Sequence, residues 1–181
     1  MLLTETEINF AVSERIFRLL LQQGYDAELL EEFDPRLENY QGAALISIHA
    51  NDCSDYGEFV SGYLISFAES RPQQGPDLQL QECVSQYYAE ASQLPRRFGF
   101  TRDVTDYHVF RQISPNTPAV ILELGFMRGD QDFLITQSDT MAQAVVDGVI
   151  CFLTGEGTRL LIDESELPTP EGSATPPTTT P

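Results

Sequence analysis

The chain has 181 residues, 41% of them hydrophobic, which suits one domain with one good core. Its net charge is −18 and all ten basic residues are arginine, so the surface repels phosphate backbones and argues against nucleic acids and tight binding to anionic membranes. No apolar stretch has the length of a transmembrane span or the pattern of a signal peptide, so no stable membrane insertion is expected.

Thr4-Glu5-Thr6-Glu7 reads as a helix start, with Thr4 as N-cap and Glu7 closing a capping box. The helix runs to about residue 23, stops at Gly24, and turns Ile8, Val12, Ile16, Leu19 and Leu20 inward at spacings of three and four. A short strand is expected around residues 27–30, before the break at Asp34-Pro35. The apolar run from Ala43 to Ile48 is a buried strand, followed by a polar loop over residues 50–58. Gly62 to Phe67 reads as the next strand, and Arg71 to Pro76 as a turn. A helix from about Asp77 to Leu94 carries Leu80, Cys83, Val84, Tyr87 and Tyr88 on its apolar positions and ends before Pro95. Residues 97–117 read mostly as loop, with a short strand near His108 to Arg111. Ala119 to Glu123 is a second buried strand. The closing helix, about Asp139 to Leu153, turns Met141, Ala144, Val145, Val149 and Phe152 to the sheet. The alternation implies an α/β fold: a single three-layer domain with a largely parallel twisted sheet flanked by helices over residues 1–155. Residues 156–181 are a Pro/Thr-rich tail, with five prolines and five threonines among the last fourteen residues, too polar to form a core.

Three side chains stand where this fold concentrates chemistry. One buried strand ends in His49, and the other ends in Glu123. The carboxyl ends of strands are where α/β folds collect ligands. Glu5 and Asn9 share the inward stripe of the first helix, which helix-end electrostatics alone does not explain. Cys53, Cys83 and Cys151 show no CxxC spacing, which excludes a cysteine-rich zinc site. Cys151 reads as a small core residue, and Cys53 as a loop thiol.

These residues resemble the zinc-dependent N-acetylmuramoyl-L-alanine amidases, which cleave cell-wall peptidoglycan. The resemblance rests on Glu5 with Asn9 four residues on, on Ser47-Ile48-His49-Ala50-Asn51, and on Pro118 to Phe126 with Glu123 inside. It spans about residues 4–154. It implies that Glu5 and His49 are ligands of a zinc cofactor, that Glu123 is the general base, and that Asn9 helps hold Glu5. It further implies hydrolysis of the bond between muramic acid and L-alanine, with peptidoglycan as partner, in the periplasm or outside the cell. A monomer is expected. Arg111 is a candidate contact for a stem-peptide carboxylate, and His108 is expected to be structural or to touch substrate. The family's first ligand is a histidine after an opening strand, ahead of the helix glutamate. Met1 lies four residues before Glu5, so that ligand is expected to be missing, through truncation or through loss. Met127 to Asp130 replaces the family's usual Ser-Asn and is expected to alter a loop cap rather than the chemistry. The rival readings are an inactive amidase-like module that binds peptidoglycan or regulates another hydrolase, and a zinc hydrolase acting on small N-acyl amino acids.

Overall fold

The computed structural model describes residues 4–98 and 102–155. Thr4 caps α1 (Glu5–Gln22) as its sequence predicts: Glu7 N donates to Thr4 Oγ1 at 3.3 Å, and Thr4 N donates to Glu7 Oε2 at 2.8 Å. Ile8, Val12 and Ile16 are buried along one side of this helix. Three strands, β1 (Leu45–Asn51), β2 (Leu64–Ser66) and β3 (Ala119–Phe126), form one sheet in the order β1-β3-β2. β1 and β3 are parallel, as expected of the two apolar runs, whereas β2 is antiparallel to β3, so the sheet is mixed.

Strand alternation divides the molecule into layers. Ile46, Ile48 and Ala50 of β1 and Val120, Leu122 and Leu124 of β3 pack with α1, α2 (Pro76–Ser92) and α6 (Ser138–Leu153). Leu45, Ala119 and Ile121 face the opposite layer, built from Leu37, Val104, Tyr107, Val109, Phe110 and Ile113. That layer includes α3 (Arg102–Thr105) and α4 (Val109–Gln112). His49 and Glu123 fall on this second face and stand opposite each other in the register. All eight residues of β3 are buried.

Several sequence expectations change. No strand forms at residues 27–30, where two leucines flanked by acids have no neighbouring strand to pair with; Leu30 packs on the second layer instead. The segment His108 to Arg111 is helical rather than extended. Tyr107 and Phe110 lie three residues apart, and Val109 and Ile113 four apart, so one turn of helix buries all four. A short helix, α5 (Gln131–Thr136), follows β3 and carries buried Leu134. Cys151 is buried as expected, but it is bonded to Cys83, joining α6 to α2 across a Cα separation of 5.8 Å. Cys53 is exposed and free in its loop. The Pro/Thr-rich tail assigned to residues 156–181 lies outside the described residues.

Candidate functional site

The first turn of α1 sits beside the carboxyl end of β1, bringing Glu5 to His49 across 44 residues of sequence. Glu5 Oε1 lies 3.2 Å from His49 Nδ1 and accepts hydrogen bonds from Asn9 Nδ2 at 3.2 Å and Ala50 N at 3.4 Å. Asn9 is placed one helical turn after Glu5, so it can hold that carboxylate from its own helix. Glu123 stands beside His49 on the adjacent strand. Its Oε2 is buried and has no hydrogen-bond partner, and the same is true of Asn9 Oδ1. A buried carboxylate oxygen left without a partner is costly, and in a cleft it marks a place for a ligand or a reacting group.

The charges follow from that geometry. Burial raises the Glu123 carboxyl from its ordinary 4.5 to about 7; the His49 charge pulls it down, while Glu5 and Asp52 push it up. Burial alone would lower the His49 imidazole, but the Glu5 hydrogen bond and the Glu123 and Glu5 charges outweigh it and hold the group above 6.5. Glu5 is lowered below 4.5, chiefly by its hydrogen bond with His49.

The other two sequence candidates fall outside this group. His108 stacks on Phe33 at a centroid separation of 4.9 Å, and its Nε2 lies 3.3 Å from the Glu32 carbonyl oxygen, so it is packed into the rim. Arg111 is 58% exposed and its guanidinium is paired with Asp106. Ser47 and Tyr107, which the sequence reading did not single out as site residues, both reach His49. Ser47 Oγ lies 3.1 Å and Tyr107 Oη 3.2 Å from Nε2. Ser47 was within reach of strand periodicity, since it precedes His49 by two residues on the same face. Tyr107 was not, because only the folding of α4 onto the sheet brings it there. Beyond β3, the Asp130 carboxylate accepts from Ser61 Oγ at 2.5 Å, Gly62 N at 3.0 Å and Phe126 N at 2.8 Å. The Met127-to-Asp130 segment therefore caps a loop, as its sequence suggested.

The donor set fits a zinc ion at two positions. Two tetrahedral ligands at ordinary zinc bond lengths sit roughly 3.4 Å apart, close to the Glu5–His49 spacing of 3.2 Å. A third protein ligand is not found: among the described residues no group of three or more His, Cys, Asp or Glu side chains could hold a metal.

The fold has close counterparts among solved structures. The amidase Ami1 from Mycobacterium smegmatis is 19% identical, with a TM-score of 0.70 over 84% of this chain and 78% of that one. The amidase AmiC2 of Nostoc punctiforme is 23% identical, with a TM-score of 0.63 over 83% and 84%. The catalytic domain of the amidase CwlV from Bacillus (Paenibacillus) polymyxa var. colistinus is also 23% identical, with a TM-score of 0.61 over 83% and 85%. These likenesses show the fold. No curated protein sequence matches the chain. The family description "N-acetylmuramoyl-L-alanine amidase" matches residues 2–154, which include Glu5, His49 and Glu123, and by that match the chain belongs to the N-acetylmuramoyl-L-alanine amidase family.

Proposed function

We propose that this protein hydrolyses the amide between the lactyl group of N-acetylmuramic acid and L-alanine in peptidoglycan, with zinc as cofactor. The observation that carries the reading is the meeting of Glu5 Oε1 and His49 Nδ1 beside a buried, unpartnered Glu123 Oε2. Glu5 and His49 are the two ligands this chain contributes, and Asn9 steadies Glu5. Zinc held there supplies a Lewis acid for the scissile carbonyl and brings the pKa of a water towards roughly 7. Glu123 takes a proton from the attacking water at Oε2 and returns it to the departing amide nitrogen. A carboxyl near 7 is well matched to both transfers at neutral pH. Arg111, bound to Asp106, has no part in this scheme.

The site of action is placed outside the cytoplasm, where peptidoglycan lies. The buried Cys83–Cys151 disulfide supports this, because such bonds persist in oxidising compartments. No helix among the described residues is long and apolar enough to cross a membrane.

One observation favours a second reading, a module that binds peptidoglycan without cleaving it: the described residues supply two ligands where a catalytic zinc takes three. Zinc content and release of stem peptides from purified peptidoglycan separate the two. Stoichiometric zinc with release supports the hydrolase. Peptidoglycan retention with neither zinc nor release supports the binding module. In the hydrolase, Glu123→Gln lowers release by a factor of roughly 10²–10⁴ while leaving zinc content and fold unchanged, and full activity in that variant would remove Glu123 from its role.

A further inference from the structure

Both ring nitrogens of His49 are engaged, and their partners differ in kind. Nδ1 faces a carboxylate, which only accepts hydrogen bonds, whereas Nε2 lies between the Ser47 and Tyr107 hydroxyls, each of which can donate or accept. The hydroxyls come from different elements. Ser47 stands on β1, and Tyr107 precedes α4 in the opposite layer, 8% exposed and edge-on to the imidazole at a centroid distance of 5.1 Å and an angle of 82°. Because both oxygens lie within 3.2 Å of Nε2, they close that side of the ring, leaving Nδ1, on the Glu5 side, as the nitrogen able to meet a metal ion. An imidazole that gives Nδ1 to a metal keeps its one remaining proton on Nε2, and that proton needs an acceptor in a fixed place.

Resting on the reading of Glu5 and His49 as zinc ligands, we propose that Ser47 and Tyr107 are positioning residues that accept the Nε2 proton of His49 and so fix its Nδ1 lone pair towards the metal. When no metal is bound, the same hydroxyls donate to Nε2 while Nδ1 shares its proton with Glu5. The ring thus has partners in both states without having to turn. Neither hydroxyl touches the reacting amide, so their effect reaches catalysis only through His49.

The test is a zinc titration of the full chain against a chromophoric chelator, for the wild type, Tyr107→Phe, Ser47→Ala, the double variant and Ser47→Thr. Thermal unfolding of each zinc-free protein is followed in parallel. Each single removal of an oxygen weakens zinc binding by about 10-fold and the double removal by up to about 100-fold, while the zinc-free unfolding temperature falls only by the modest amount that loss of a hydrogen bond to Nε2 brings. Ser47→Thr, which keeps a hydroxyl, restores most of the affinity, an outcome that a packing role does not produce. Nitrogen-15 spectra of the zinc-loaded wild type place the ring proton on Nε2, and Tyr107→Phe shifts that signal. Equal zinc affinity in the wild type and the double variant, or a ring proton found on Nδ1 in the loaded protein, overturns the positioning role and leaves the ligand assignment standing. Failure of the wild type to take up zinc overturns the ligand assignment itself, and the positioning role with it. Should the double variant unfold, the two single variants decide the matter by the same readings.

Discussion

Glu123 is held in a state that an exposed carboxylate avoids, and this has a consequence for stability that is separate from catalysis. Its carboxyl stands at about 7 in the fold, against 4.5 when free, so between those values the folded chain binds a proton that the unfolded chain does not. A raised carboxylate pKa therefore removes stability as pH climbs from 4.5 towards 7, and below 4.5 it costs nothing. The shift corresponds to about 3 kcal/mol. In zinc-free protein kept in chelator, Glu123→Gln should stabilise the fold by roughly 2–3 kcal/mol more at pH 8 than at pH 4, measured by urea unfolding at both values. A stabilisation independent of pH would show that the buried carboxyl ionises without penalty. At this scale the sequence was most informative where strand ends coincided with polar side chains. His49 and Glu123 were visible because a reactive group follows an apolar run, and Glu5 and Asn9 because they interrupt an apolar helix stripe. Tyr107 carried no such mark. In sequence it is one aromatic beside a more conspicuous histidine, and its role arises only when a turn of helix lays it against β1.

The elements that hold these residues differ in how plainly they were written. β1 and β3 are both apolar runs packed between two layers, a pattern that reads as parallel strands, although only central β3 is buried throughout and β1, at the sheet edge, is mostly half-buried. β2 pairs over only three residues, so its direction was set by contacts with β3 rather than by its own pattern. Residues 108–111 hold a valine and a phenylalanine between two polar residues, too short a run to separate strand from helix, and burial of Tyr107, Val109, Phe110 and Ile113 on one side favoured a helical turn. Packing between α2 and α6 depended on a feature equally quiet in sequence. A Cβ on Gly148 would stand 2.5 Å from Val84 Cα and 3.1 Å from the Cys83 carbonyl oxygen, both backbone atoms of α2 that no side-chain rotation can move. Although alanine is the better helix former, Gly148→Ala should destabilise the protein by about 1–3 kcal/mol through forced separation of the two helices. Chemical unfolding checks this, and a neutral or stabilising result would mean that α6 slides on α2 without loss.

Across the whole molecule, the Cys83–Cys151 bond ties together two of the three helices that cover one face of the sheet, closing a loop that spans 68 residues and includes β3. Closing a loop of that size removes conformational freedom from the unfolded chain, worth about 4 kcal/mol in the chain-entropy account. That is a large fraction of the stability of an ordinary domain. The sequence held both cysteines in view but could not pair them, since each sat on a helix of its own and only the docking of α2 on α6 brings their Cα atoms to 5.8 Å. The bond also leaves Cys53, exposed in the loop after β1, as the one thiol of the three. Protein produced in an oxidising compartment and unfolded in denaturant without reductant should therefore titrate one thiol per chain, and three after reduction. Urea unfolding of the reduced protein should show a loss of roughly 2–4 kcal/mol relative to the oxidised form. Because the two sulfurs lie in the core and not at the site, zinc uptake by the folded fraction should be the same in both forms. Three titratable thiols before reduction would break the link between this fold and an oxidising compartment, and would leave the extracytoplasmic placement resting on family membership alone.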